Sequence, residues 1–328
     1  MDNGTQAKTH GISWTRHLER FGLVLAWALV AIVFGIALPG IFLTWGNFSV
    51  LFASQAPAVL LALALIIPLT AGDYDLSVGA NVTMSAMIIG VLNALHHWSL
   101  GVVLPLALLS GVTIGAINSF FIVYVRIPSL VVTLGSASVI SGMVQWLSNS
   151  STISGIDPGL SNAVTERLFG LSYSCYYAIA VALIIWVVFE YTPLGRRLLF
   201  VGRGREVARL SGISVNAVRT GCLIASGAIA ALAGIIYAGL LGAADPFSGQ
   251  NFLLPAFAAA YLGATSIIPG RFNPWGAVIA VYFLASGITG LTMMGIPIWV
   301  TSVFNGGALI FAVTLSQFAR GRAETDLG

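Results

Sequence analysis

The sequence has almost no charge. Asp, Glu, Lys and Arg make up 8% of its 328 residues, against about 25% in a soluble domain. So few charges cannot coat a water-soluble surface, and the chain reads as an all-α integral membrane protein. Lysine is scarcer still, with Lys8 alone. Ala7, not glycine, stands directly before it, which excludes a GxxxxGK(S/T) phosphate loop. If nucleotide energy drives this protein, another chain hydrolyses it. Cysteine is limited to Cys175 and Cys222. They match no metal spacing and imply no disulfide framework, so they read as small apolar packing residues. No Ser/His/Asp set or carboxylate pair stands outside the apolar runs, so no catalytic residue is assigned. A voltage-sensor arginine helix and a TVGYG-type filter are also missing. His96 and His97 have no third ligand nearby, and no metal site is expected. The net charge of +3 comes from short basic clusters beside apolar runs, which is no signal for nucleic acid.

What is present is long apolar sequence. A span needs about 20 apolar residues. Stretches free of Asp, Glu, Lys and Arg cover 21–72, 76–125, 127–156, 168–189, 220–244, 246–270 and 272–319. The first, second and last are long enough for two spans each, broken near Trp45–Asn47, His96–Ser99 and Met294–Pro297. About ten transmembrane helices result. With the N-terminus in the cytoplasm, every basic residue except Arg167 falls inside, as the positive-inside rule asks. Both termini are then cytoplasmic. Residues 1–20 form an N-terminal tail, too polar for a cleaved signal. Residues 21–319 form the transmembrane domain and 320–328 a C-terminal tail. Trp45, Trp98, Trp146, Trp275 and Trp299 fall near span ends, like an aromatic belt. The largest outer loop, 147–170, is expected to lie partly on the outer surface. Gly111 and Gly115 make a GxxxG, and Ala230 and Gly234 a small-xxx-small pair. Such residues let helices approach closely, within one chain or between two.

One long polar segment interrupts the second half, 191–219, between spans six and seven. It holds Arg196, Arg197, Arg203, Arg205, Arg209 and Arg219. Gly202 and Gly204 are expected to break the chain, and Arg205 to Ser211 to form two helical turns. Glu206 suits the positive helix end. Val207 and Leu210 share a face. Gly212 is placed to end the helix in a left-handed cap. A short helix with a small apolar face outside the membrane is shaped to dock into a groove on another protein.

Polar side chains inside the spans are few: Gln55, Asn81, Asn118, Gln145 and Asn305. They make interhelical hydrogen bonds or touch a hydroxylated solute. Asp73 and Asp75 lie between the second and third spans, in TAGDYDLSVGAN. One reading has both cap the third helix, with Asp75 placed to accept backbone N–H bonds at its start. Alternatively, both carboxylates line a polar path or gate, since such groups near membrane depth are usually functional. That second reading leaves open an ion-coupled secondary transporter of a small polar solute. GDYDLSVGA (72–80) is faintly echoed by GRFNPWGA (270–277), as in transporters built from two related halves.

Glu206-Val-Ala208-Arg-Leu-Ser-Gly212 resembles the EAAxxxG coupling motif of ABC importer permeases. GDYDLSVG (72–79), TPLGRR (192–197), ARLSGISV (208–215) and LGATS (262–266) resemble segments of the ribose/xylose/arabinose-type sugar permeases. Many relatives read GGIDLSVG in the first, so Asp73 and Tyr74 depart from the common form. The resemblance implies a bacterial inner-membrane permease for a monosaccharide or related polyol. It implies an ATP-binding cassette partner carrying ATP and Mg, and a periplasmic sugar-binding protein. It also implies a second permease subunit, identical or related. Coupling would fall on Arg205, Glu206, Val207, Ala208, Leu210 and Gly212.

Overall fold

The computed structural model describes residues 12–297 and 299–325, with side chains over 21–297 and 299–316. Lys8 and the side chains of Arg16, Arg20, Arg320 and Arg322 lie outside the described residues. The described chain is built of helices. In order they are α1 (Ile12–Ala37), α2 (Trp45–Ser54), α3 (Ala56–Thr70), α4 (Val78–Ile89), α5 (Leu100–Ser119), α6 (Ser129–Ser148) and α7 (Pro158–Thr165). Then follow α8 (Tyr173–Tyr191), α9 (Pro193–Arg203), α10 (Arg205–Leu210), α11 (Val215–Leu241), α12 (Ser248–Gly263), α13 (Pro274–Met293) and α14 (Trp299–Thr325). π-helical turns extend α4 to Leu95 and α5 to Tyr124. Among the described residues, strands occur only as two-residue pieces: β1 (Ile153–Ser154), β2 (Arg167–Leu168), β3 (Leu171–Ser172) and β4 (Ala243–Ala244).

Helix α3 is the centre of the bundle. Every residue from Ala56 to Thr70 is buried. Its sequence is apolar on all faces, and such a helix is stable only when neighbours surround it. Helices α8, α11, α12 and α13 do so. Glycines set the spacing around it. The backbone of Gly234 on α11 lies against the Val82 carbonyl of α4, and Ser85 donates to the Ala231 carbonyl at 2.9 Å.

The links between helices gather at two opposite ends. At one end, Arg205 and Arg219 reach the 71–77 link. Ser129 meets Tyr74 there, and Arg271 meets Glu190. At the other end β1 pairs with β4, the Asp157 N–H donates to Asn93, and Ser49 donates to the Gly170 carbonyl. Successive long helices thus run alternately between the two ends. Among the described residues, seven helices are long and apolar enough to cross a membrane. An eighth is counted if α2 and α3, bent by 46° at Gln55, form one span. The apolar stretch Phe21–Ala37 of α1 is shorter, and α12 has 16 residues.

Two local expectations are corrected. The first turn lies at 38–44, not at Trp45–Asn47. Gly40 supplies its positive φ of 74°, and Thr44 caps α2 by accepting the Asn47 N–H. Gly202 does not break the chain, because 193–203 is one helix. A Cβ there would come 1.9 Å from the Thr70 carbonyl oxygen, so glycine serves close packing. The break falls at Gly204 alone. The loop 147–170 lies partly on the surface of the bundle, as expected. Its helix α7 buries Leu160 and Val164, with Val164 over Gly239 of α11.

Candidate functional site: the arginine-rich link and the buried acidic loop

The arginine-rich segment folds as two short helices. Thr192 precedes Pro193, and its hydroxyl accepts the Gly195 N–H. This is a helix start with proline in the first turn, where its missing N–H costs nothing. Leu198 and Val201 turn inward and tie α9 to the bundle. After Gly204 the six residues of α10 present two faces. Ala208 is fully buried, while Val207 is 60% and Leu210 87% exposed. Glu206 pairs with Arg209 at 2.5 Å on the open side.

The end of α10 is fixed by backbone. Gly212 has φ of +79°. Its N–H donates to the Arg209 carbonyl at 3.0 Å, and the Ile213 N–H to the Ala208 carbonyl at 3.0 Å. That double closure is the Schellman arrangement, which satisfies carbonyls left open at a helix end.

The 71–77 link is bonded to the first residue of α10. Asp73 is 2% exposed. Arg219 grips it with two bonds, Nε to Oδ2 and Nη2 to Oδ1, each 2.7 Å. Arg205 Nη2 adds a bond to Oδ1 at 3.0 Å and one to the Gly72 carbonyl at 2.9 Å. Asp73 is thus no helix cap. It joins the link to both flanks of α10.

Asp75 is the residue that shapes the start of α4. Its Oδ1 accepts the Ser77 N–H at 3.1 Å and the Ser77 hydroxyl at 2.6 Å. Its Oδ2 accepts the Ser226 hydroxyl at 2.9 Å. Burial pushes the Asp75 carboxyl up from its ordinary value, while the bonds from Ser77 and Ser226 pull the other way. Asn118 extends this network. Its amide donates to Ser77 Oγ at 2.9 Å, and its Oδ1 accepts the Ser136 hydroxyl. One polar chain therefore joins α4, α5, α6 and α11.

The remaining candidates do not gather with these. Asn81 donates to the Gly227 carbonyl at 3.0 Å, and its Oδ1 is buried without a hydrogen bond. Asn305 on α14 likewise buries an unbonded Oδ1. Gln55 marks the bend between α2 and α3. Sequence reasoning did not connect Arg219, Ser226 or Ser136 to the acidic loop. It also missed Tyr261 on α12, whose hydroxyl stands 3.4 Å from that of Tyr74, and Phe272, whose ring lies 5.4 Å from that of Tyr261.

The arrangement places an exposed apolar pair, Val207 and Leu210, at one end of a helical bundle, tied by ion pairs to a buried loop. A family model described as branched-chain amino acid transport system/permease component matches residues 47–313. The chain belongs to this permease family. The permease is 27% identical to the D-allose transport system permease protein of Escherichia coli K12, over 91% of this chain and 92% of that one. It is 31% identical to the autoinducer 2 import system permease protein LsrD of Photorhabdus laumondii, over 90% and 91%. It is 29% identical to a second permease protein of such a system, LsrC of Salmonella paratyphi B, over 87% and 85%. No solved structure matches it. The expected resemblance to sugar-importer permeases is met by these relatives, and the permease is a multi-pass protein of the inner membrane.

Proposed function

We propose that this permease is the membrane-spanning subunit of an ATP-driven importer for a monosaccharide or related hydroxylated solute. The observation that carries this reading is α10. It holds two exposed apolar side chains on a buried alanine, with a locked C-terminal cap. A helix of this kind suits a groove on a partner. That partner is an ATP-binding cassette subunit, which holds ATP and Mg and performs the hydrolysis. This chain supplies the path. A periplasmic binding protein delivers the solute from the other end.

The substrate class follows the relatives, one named for D-allose and others for autoinducer 2 import. LsrC and LsrD are two permease proteins named for one kind of system, which supports a pair of permease chains here. The second is either a copy of this chain or a related one; native mass spectrometry of the complex distinguishes them. The alternating links support ten passages, with the arginine end and both termini in the cytoplasm.

The test is labelled-sugar uptake into cells carrying the permease, its ATPase and its binding protein. Uptake should survive an uncoupler while ATP is maintained, and stop with a hydrolysis-dead ATPase. Uptake that stops with the uncoupler and ignores the ATPase would refute the reading.

A further inference from the structure

We propose that Asp73 is a positioning residue that ties the partner-facing helix α10 to the inner end of the transport path. This rests on the reading of α10 as the coupling helix. The geometry is specific. Arg205 is the first residue of α10 and Arg219 stands in the first turns of α11. A single carboxylate therefore brackets α10 and its cap from both sides. The Arg219 contact is a two-point fork on a buried acid, the stronger form of charge-assisted hydrogen bond. The side chain of Arg219 is 12% exposed, whereas that of Arg205 is 43% exposed. Arg219 is the fixed half of the grip, and Arg205 the half open to α10.

The next residue carries the motion inward. The Tyr74 N–H donates to Ser129 Oγ at 3.1 Å, at the start of α6. Its carbonyl accepts from Thr133 at 3.4 Å. Its hydroxyl meets that of Tyr261 on α12, which stacks edgewise on Phe272 of the 264–273 link. Tyr74 thus touches α6, α12 and, through Tyr261, the second link at the same end. Gly72 precedes the pair with φ of +77°, a conformation glycine adopts freely. A pull on Arg205 moves Asp73 about this point and shifts Tyr74 against Tyr261.

The experiment uses the whole complex in proteoliposomes, with uptake and ATP hydrolysis measured together. Asp73→Asn keeps the shape and removes the charge. Asp73→Asn, Arg205→Gln and the double variant should each lower solute moved per ATP by about tenfold, a normal size for coupling between sites. The double variant should lose no more than Asp73→Asn alone, since the Arg205–Asp73 pair is already gone in that variant. Asp73→Glu should recover most of the coupling. ATP hydrolysis and co-purification with the ATPase should persist throughout. Full transport in Asp73→Asn, losses that multiply in the double variant, or hydrolysis falling together with uptake would each overturn the tie. Should Asp73→Asn fail to accumulate, Arg205→Gln decides, because its side chain is partly exposed; unchanged transport per ATP there overturns the proposal. If wild-type uptake itself ignores the ATPase, the importer reading fails instead.

Discussion

Gly111 on α5 and Gly227 on α11 meet backbone to backbone. A Cβ on Gly111 would stand 2.3 Å from the Gly227 carbonyl oxygen, and one on Gly227 would stand 2.2 Å from that of Gly111. Gly115 lies as closely on the Leu223 carbonyl. The GxxxG of α5 thus joins two helices of one chain. Gly227→Ala should force them apart and lower thermal stability in detergent, by the about 1–3 kcal/mol typical of overpacking. Gly142→Ala on α6 meets nothing within 4 Å and should be neutral or slightly stabilising, since alanine favours helix. Equal losses in both would mean that α6 is also packed through glycine, in a seam between copies.

Legibility followed sequence distance. The helical passages and the GxxxG could be read because each is a local pattern of apolar or small residues. Asp75 could be read as a helix-start residue because its partner Ser77 is two positions away. Asp73 could not, since its partners lie 132 and 146 positions on and no local pattern names them. Helix α9 was missed for another reason. Gly202 looked like a breaker, although Thr192-Pro193 carried a helix-start signal. The glycine answers to the Thr70 carbonyl of α3, a contact that only the tertiary structure supplies.

Gly212 isolates a backbone effect. Nothing lies within 4 Å of where its Cβ would be, so a side chain meets no clash and only the φ of +79° resists it. Gly212→Val should strain the Schellman cap by roughly 1–3 kcal/mol and abolish uptake at normal membrane abundance. Gly212→Asn should keep much of the activity, because asparagine enters the left-handed region more easily. Full uptake by the valine variant would remove any role for the cap.

Leu210 separates docking from folding. At 87% exposed it contributes little to the bundle. Leu210→Asp should therefore leave abundance and melting temperature unchanged. Partner affinity should fall by about thirtyfold, as for an interface anchor worth about 2 kcal/mol. Val207→Asp should act in the same direction. Titration of the purified ATPase against permease in nanodiscs reads this directly. Undiminished binding would put the docking surface elsewhere.

Asp75 gives a prediction with a definite sign in pH. Burial raises its carboxyl above the ordinary 3.8, so the folded protein holds that proton more tightly than the unfolded chain. Stability from this group is complete below 3.8 and declines as pH rises through the raised folded value, then levels off. The amide introduced by Asp75→Asn has no proton to lose. It keeps an oxygen for Ser77 and offers its NH2 to the Ser226 hydroxyl. Melting temperatures of both proteins, measured from about pH 4 to 8, cancel every other titrating group in the difference. The wild type should lose ground to Asp75→Asn as pH rises. A difference running the other way would mean that the three hydrogen bonds outweigh burial, and that α4 starts on a charged carboxylate.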